Sequence, residues 1–434
     1  MRRICFVAAL ILLLCRVAMA EEIKNYTLDI SKVNQEASNL HVKCSFSLDF
    51  QDKDSVSMNF GGGQEFSIDN LNINTGDFEY ELYLESKSIV FRKVSSQKIF
   101  VNINYSYTNL SSFFIYGKGD AELWETSFGE YFYPYVPNTF MDVALNVETP
   151  DSLSLICSYP LDSDDTMKYS GKFSRILSQS LTLAFIRDEA YQRTDEYIPG
   201  KLSIYQIKDM QCRKERYDEL LALTEAAIVF FGKVYGEDYI SAERNVTALP
   251  MYLFHNGEGF SNRYNIGFIS ASQEKFSTKP DIYPLMHEIG HRWLGEWTLL
   301  IDDGQPGAYF IKETLNEFMT LMFIRYVCGN AYYETQLDWC KAEYEKIKGT
   351  PQDEPVVNVV TNNNNTVIYR KGPLAMIRIA EQIGYDEMMS IISGFYKEYA
   401  GKYPLKYTDF IDMANESHAG VGDQLNQLLT AQSL

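Results

Sequence analysis

The spacing of apolar residues changes once along the chain, and this change constrains the fold more than any other feature. Up to about residue 200, apolar and polar residues alternate, as they do in strands with one buried face. One apolar series is Leu40, Val42, Cys44, Phe46, Leu48 and Phe50. The alternation recurs from Val101 to Tyr107 and from Met141 to Val147. We therefore predict an antiparallel β domain over residues 21–200.

Beyond residue 213 the apolar spacing becomes that of an amphipathic helix. The residues at this spacing are Tyr217, Leu220, Leu221, Thr224, Ile228, Phe231 and Tyr235. Two short strands are expected next, at 251–254 and around 267–270. Further helices should then begin near Pro284, Ile311, Ala331, Pro373 and Tyr385. The order predicts an α+β chain in which residues 201–434 form a mainly helical second domain.

The first 20 residues have the pattern of a secretory signal peptide. Arg2 and Arg3 precede a 12-residue apolar run from Ile4 to Cys15, and cleavage is expected after Ala20. The run is shorter than the roughly 20 residues that a membrane-spanning helix needs. We predict an exported protein, periplasmic or extracellular, with no stable membrane anchor after cleavage.

Charge and cysteine usage exclude several classes of protein. The formal charge is −19, and it becomes −22 once the three arginines of residues 1–20 are removed. Such a charge disfavours nucleic acid as a partner. The cysteines beyond residue 20 are Cys44, Cys157, Cys212, Cys328 and Cys340. Because none are spaced as C-x-x-C, a zinc–thiolate site and a dense disulfide scaffold are not expected. A single disulfide between Cys328 and Cys340 is still compatible with the sequence.

The segment His287-Glu288-Ile289-Gly290-His291 has the pattern of a zinc-binding helix. Residues four apart face the same side of a helix, so His287 and His291 can hold one metal ion. Glu288 points about 100° around the helix, where it can contact a water at the metal and act as a general base.

A catalytic zinc site needs one further protein ligand. The next predicted helix contains Glu313 and Glu317, which are also four residues apart and share a face. Either carboxylate could therefore be the third ligand, with the other orienting an imidazole. The residues alone leave both assignments open.

These residues resemble the gluzincin aminopeptidases, typified by aminopeptidase N. The segment from His287 to Gly295 is similar to that family's HExxH-x-W-[FL]-G, and 311–318 is similar to its ligand helix. The resemblance implies a thermolysin-like catalytic domain, one zinc ion and Glu313 as the third ligand. Between His291 and Glu313 there are 21 residues, where the family usually has 18, which implies a short insertion around 302–307.

A second similarity, downstream of the ligand helix, is between Tyr369-Arg370-Lys371-Gly372 and the family's Y-x-K-G. It implies that the Tyr369 hydroxyl stabilises the oxyanion formed at the scissile carbonyl. The family's G-x-M-E-N motif, whose glutamate binds the substrate amine, is weaker here. Asn265 and Gly267 match it, but Tyr264 stands at the glutamate position. Glu258, in the preceding loop, is a candidate substitute.

The sequence therefore predicts an exported zinc metallopeptidase that is similar to aminopeptidases and acts on peptides. An endopeptidase or a narrow processing protease with the same zinc site is the alternative, because the amine-binding glutamate is absent. A catalytically inactive module that binds a peptide or protein partner is the third hypothesis. This third hypothesis is disfavoured because the candidate metal ligands, the candidate base Glu288 and Tyr369 are all present in the sequence.

Overall fold

The structure is a computed structural model. It describes residues 23–32, 39–50, 53–59, 66–74, 78–83, 88–109, 115–116, 123–126, 132–150, 153–157, 159, 161–164, 167–178, 180–181, 183–194, 203–208, 214–236, 251–255, 263–265, 268–272, 282–295, 298–302, 304–360 and 363–434. The predicted signal peptide and Cys212 lie outside these ranges. Within them, no helix is both long enough and apolar enough to cross a bilayer.

The chain divides into two compact units, residues 1–189 and 190–434. The first described strand after this division is β15 (Tyr191–Thr194). It pairs with β16 (Ser203–Ile207), which in turn pairs with β17 (Met251–His255). The second unit thus begins with strands of its own sheet, upstream of the boundary predicted at residues 200–201.

The first unit is built from strands, as the alternating pattern predicts. They are β1 (Ile23–Lys32), β2 (Asn39–Asp49), β3 (Ser55–Asn59), β4 (Phe66–Ile73), β5 (Phe78–Tyr83), β6 (Ser88–Lys93), β7 (Lys98–Asn109), β8 (Ile115–Tyr116), β9 (Leu123–Thr126), β10 (Phe140–Glu148), β11 (Leu153–Cys157), β12 (Asp162–Ser163), β13 (Lys168–Leu177) and β14 (Leu183–Arg187). They form three sheets, of order β12-β13-β10-β1-β2-β7-β4, β11-β14-β9-β8 and β3-β6-β5.

Burial follows the predicted alternation. In β2 and the residue after it, the buried set is Leu40, Val42, Cys44, Phe46, Leu48 and Phe50, each at most 3% exposed. Among the described strands of the first unit, the predicted antiparallel arrangement has one exception, because β1 pairs with β10 in parallel. These two strands lie far apart in the sequence, so no tight hairpin forces them to run in opposite directions.

The second unit combines a five-stranded sheet with helices. Its sheet has the order β15-β16-β17-β19-β18, in which β18 is Arg263–Asn265 and β19 is Phe268–Ser272. The α-helices are α1 (Lys214–Tyr235), α2 (Ile282–Gly290), α3 (Leu315–Phe323), α4 (Asn330–Glu345), α5 (Gly372–Ile383), α6 (Tyr385–Tyr399), α7 (Tyr407–Ser417) and α8 (Val421–Thr430). π-helical turns occur at Phe310–Thr314, Ile324–Cys328 and Val367–Lys371, and a 3-10 turn at Val356–Asn358. The predicted helix starts are confirmed to within two residues. For the start predicted near Ile311, the π-helical turn Phe310–Thr314 is counted as the beginning of α3.

Helix α3 forms the centre of the second unit, since every residue from Leu315 to Phe323 is buried. Helix α1 packs near it through Phe231, whose ring stacks on Trp293 and Phe323 at centroid distances of 5.4 and 6.3 Å. The aromatic contacts hold the residues just after α2 against the core. Cys328 and Cys340 are both free thiols, so the bridge left open by the sequence is not formed.

Candidate metal centre and active site

His287 lies in the last turn of α2, and His291 follows one residue after the helix ends. The backbone N–H of His291 still donates to the carbonyl of His287, at 3.3 Å, so the helical spacing of the two imidazoles is kept. The two rings stand almost perpendicular, with centroids 4.6 Å apart. Both Nε2 atoms can therefore face a common point.

The Glu313 carboxylate lies beside both Nε2 atoms and is the third member of this group. Its Oε2 lies 3.3 Å from His287 Nε2 and 3.4 Å from His291 Nε2. The ligand atoms of these three residues all lie within 4.8 Å of one another. No other group of three or more His, Cys, Asp or Glu side chains meets this spacing in the part of the chain that the structure describes.

The two histidines are oriented from behind. His287 Nδ1 lies 2.7 Å from Glu317 Oε2, and His291 Nδ1 lies 2.7 Å from the carbonyl oxygen of Leu294. An oxygen atom this close to Nδ1 favours the tautomer that carries the proton there and leaves Nε2 for a metal. Of the two carboxylates that the sequence leaves open, Glu313 thus faces both Nε2 atoms, whereas Glu317 lies behind one ring.

Close packing between α2 and α3 sets this geometry. A Cβ atom at Gly290 would lie 2.1 Å from Asn316 Oδ1, so only glycine allows the approach. At this contact, Asn316 Nδ2 donates to the carbonyl of His287 at 2.7 Å. The ligand helix is therefore tied to the backbone of the first histidine itself.

The pocket stabilises positive charge where a metal ion would lie. Burial opposes a charge on His287, but its contacts with Glu313 and Glu317 raise the pKa of its imidazole to about 10. Burial likewise opposes a charge on Glu313, yet the two histidines hold the pKa of its carboxyl well below the usual range. Two imidazoles and one carboxylate are also a donor set typical of catalytic zinc. The residues present therefore fit a divalent metal ion.

Glu288 and Tyr369 flank the three candidate ligands. Burial raises the pKa of Glu288 to about 7, although the two histidines act in the opposite direction. A carboxyl group with such a pKa can accept and return a proton near neutral pH. The Tyr369 ring lies 5.7 Å from the His287 ring, and burial raises the pKa of its phenol well above the usual value. The phenol thus stays protonated and can donate a hydrogen bond.

The segment that carries Tyr369 is attached to the ligand helix. Thr314 Oγ1 donates to the carbonyl of Ile368 at 2.8 Å, and a Cβ atom at Gly372 would lie 2.6 Å from the same hydroxyl oxygen. Thr314 and Ile368 both belong to π-helical turns, which are frequent at functional sites. The tyrosine and the third candidate ligand are therefore held by one pair of packed turns.

The candidate substrate-binding residues are described only in part. Tyr264 and Asn265 belong to β18, whereas Glu258 and Gly267 lie outside the described residues. The strand predicted around 267–270, which is β19, is an inner strand because it pairs with both β17 and β18. At this side of the described sheet the edge strand is therefore β18. Three-residue β18 was missed because so short a segment shows no periodicity.

Three groups of the site were not predicted from the sequence. Tyr283 and Arg370 contact Glu317, and Asn316 holds α2. Tyr283 stands four residues before His287, so helical spacing could have placed it beside the imidazole. Arg370 lies in the Y-x-K-G segment, but nothing local shows that it contacts a residue 53 positions away.

The fold is similar to that of the M1 zinc metallopeptidases and of LTA4 hydrolase. The chain is similar to yeast LTA4 hydrolase in complex with bestatin, with 15% identity and a TM-score of 0.71, covering 96% of this chain and 69% of that one. It is also similar to the M1 zinc metallopeptidase from Deinococcus radiodurans, with 10% identity, a TM-score of 0.67 and coverage of 95% and 94%. A mutant of the latter bound to a Tyr-Ser-Ala substrate aligns at 12% identity, with a TM-score of 0.67 and 95% coverage of each chain. No protein-family model matches the sequence, and no curated protein matches it.

Proposed function

We propose that this chain is a zinc-dependent metallopeptidase that hydrolyses peptide bonds. The observation that carries the proposal is the convergence of His287, His291 and Glu313, whose ligand atoms lie within 4.8 Å of one another. The likeness of the fold to M1 zinc metallopeptidases supports it. A peptide is the proposed substrate, and the neighbour bound to Tyr-Ser-Ala supports that class of ligand.

In this mechanism the three residues hold one zinc ion. When bound, zinc acts as a Lewis acid that acidifies water and polarises the scissile carbonyl. Glu288 accepts the proton of the attacking water and later passes it to the leaving amine. The Tyr369 hydroxyl donates a hydrogen bond to the oxyanion that forms at the carbonyl oxygen.

Within this class we propose an aminopeptidase-like activity, with an endopeptidase or narrow processing protease as the alternative. The family resemblance favours removal of N-terminal residues. The tyrosine at position 264 favours the alternative, because a phenol cannot replace a carboxylate as the partner of a charged amine. A free and an acetylated N-terminus distinguish the two activities, since only an endopeptidase cleaves a blocked peptide.

The test uses the purified protein with one peptide series, each peptide having a free or an acetylated N-terminus. Zinc content is measured first, and cleavage is then assayed with and without zinc. Glu288→Gln is the control, because it removes the base and leaves the three ligands. We expect zinc-dependent cleavage that falls by about 10²–10⁴-fold in this variant. A protein that binds no zinc, or turnover that is unchanged in the variant, would overturn the proposal.

We further infer that the protein is exported, on the basis of the pattern in residues 1–20. Expression of the full chain in a bacterial host, followed by fractionation and N-terminal sequencing, tests this. A mature protein that begins at Glu21 outside the cytoplasm is the expected result. Retention of Met1 in the cytoplasm would contradict it.

A further inference from the structure

The two carboxylate oxygens of Glu317 have separate partners. Oε2 lies 2.7 Å from His287 Nδ1, behind the proposed metal ligand. Oε1 accepts hydrogen bonds from the Tyr283 hydroxyl at 2.9 Å and from Arg370 Nη1 at 2.7 Å. Because the side chain of Glu317 is only 3% exposed, water does not compete strongly for either oxygen. The rotation of the carboxylate is therefore fixed by its partners at Oε1.

Arg370 is itself held in place on two sides. Its guanidinium carbon lies 3.9 Å from the centroid of the Trp339 ring, within the range of a cation–π contact. Its Nη1 also donates to the carbonyl oxygen of Tyr369, at 2.7 Å. One guanidinium thus connects the carboxylate behind His287 with the backbone of the residue proposed to bind the oxyanion.

We propose that Arg370 is a positioning residue for this active site. By holding Oε1 it leaves Oε2 for His287, which fixes the ring with Nε2 directed at the metal position. By holding the carbonyl of Tyr369 it also fixes the segment from which the phenol extends. The inference rests on the proposed zinc-peptidase function, because it assigns Arg370 a role in that same site.

The chemistry of the contact favours arginine over other residues. A buried carboxylate needs a cation or several donors to offset the loss of water, and the neutral Tyr283 hydroxyl supplies only one hydrogen bond. A lysine could supply the charge, but it lacks the planar group that stacks on Trp339. Arg370→Lys is therefore expected to preserve only part of the function.

The experiment compares Arg370→Gln and Arg370→Lys with the wild-type protein. Arg378→Gln is the matched control, because Arg378 is an exposed arginine of the adjacent helix α5. Zinc dissociation constants are measured by competition with a chelator, without any substrate. The values of kcat and KM are then measured at saturating zinc, and Tm is recorded for each variant.

We expect Arg370→Gln to weaken zinc binding by about 10–100-fold, as is usual for the loss of a group behind a metal ligand. At saturating zinc, kcat should fall by about 10-fold or more with little change in KM, because Tyr369 is less well placed. Arg370→Lys should lie between Arg370→Gln and the wild type, and Arg378→Gln should match the wild type.

A merely structural role predicts a different result. If Arg370→Gln lowers Tm but leaves the zinc dissociation constant and kcat at wild-type values, the positioning role is refuted. If Arg370→Gln does not fold, Tyr283→Phe removes the other donor to Oε1 and should weaken zinc binding by a smaller factor, whereas no change would refute the role. A wild-type protein that binds no zinc would refute the proposed function itself, which separates the two failures.

Discussion

Lys371 forms the most deeply buried ion pair of the described second unit, and its removal gives a sharp test of how this unit is held together. Nζ donates to Asp353 Oδ1 at 2.8 Å, and both side chains are 0% exposed. It also lies within 3.0 Å of three carbonyl oxygens, those of Glu354, Ala431 and Gln432. Lys371 therefore joins the Tyr369 segment to residues close to the end of the chain.

We predict that Lys371→Met lowers the Tm of the second unit on the order of 10 °C. Breaking a buried ion pair by removing one partner costs about 3–5 kcal/mol, because the remaining charge is left without compensation. For a unit of this size, each kcal/mol corresponds to about 2–4 °C. In the variant, Asp353 keeps the backbone N–H of Gly349 and the Ser433 hydroxyl as hydrogen-bond donors. We therefore expect a decrease in Tm in the lower half of the range that these two figures give.

The assay is calorimetric unfolding of the full chain, in which the transition of the second unit is followed. Lys348→Met is the control, because Lys348 pairs with Glu345 at the surface and exposed pairs contribute little. The double variant Lys371→Met/Asp353→Asn should be more stable than Lys371→Met alone, since it removes the uncompensated charge. If the double variant is as unstable as the sum of its single changes predicts, the reasoning about the buried charge is wrong.

Four further predictions concern residues of the second unit. Gly290→Ala should weaken zinc binding and destabilise the protein by about 1–3 kcal/mol, because its Cβ would lie 2.1 Å from Asn316 Oδ1. Gly232→Ala should stabilise the protein by about 0.5–1 kcal/mol, measured by urea unfolding, because Gly232 lies inside α1 and a Cβ there would have no atom within 4 Å. Tyr369→Phe should reduce kcat by about 10²–10³-fold with little change in KM, and an unchanged kcat would exclude the phenol from the chemistry. Burial raises the pKa of the Asp353 carboxyl, but the hydrogen bond from Lys371, together with those from its other donors, acts more strongly and lowers the pKa overall. The ionised carboxylate therefore stabilises the folded state above about pH 4, and this stabilisation is lost at lower pH. Unfolding of Asp353→Asn should therefore depend less on pH between about 5 and 2 than that of the wild type.

Local patterns in the sequence were sufficient to predict several elements of the fold, among them β2 and α1. The alternation in β2 and the helical spacing in α1 each reflect one buried face, which short-range periodicity records directly. The parallel pairing of β1 with β10 and the short edge strand β18 could not be predicted in this way. Such pairing depends on contacts between distant residues, and no local spacing encodes it.

The same distinction applies to the candidate site. His287, Glu288 and His291 are adjacent in the sequence, so their shared geometry follows from one helix turn. The contacts of Glu317 with Tyr283 and Arg370 bring together three separate segments, and only the packed structure shows them. The roles of these residues in catalysis stay predictions that the variants above test.

The family resemblance implies three additional residues before Glu313, and the contacts around this segment indicate how the position of Glu313 is fixed. Within the segment where the insertion was expected, Gly307 has φ +75°, and a Cβ there would lie 2.4 Å from the Cβ of Tyr407. The chain is thus folded closely against α7 before the ligand helix begins. That helix is then anchored by the bond from Asn316 to the His287 carbonyl, which brings Glu313 within 3.4 Å of both imidazoles. Because this anchor does not depend on the length of the preceding loop, we expect the position of Glu313 to tolerate the short insertion that the family resemblance implies.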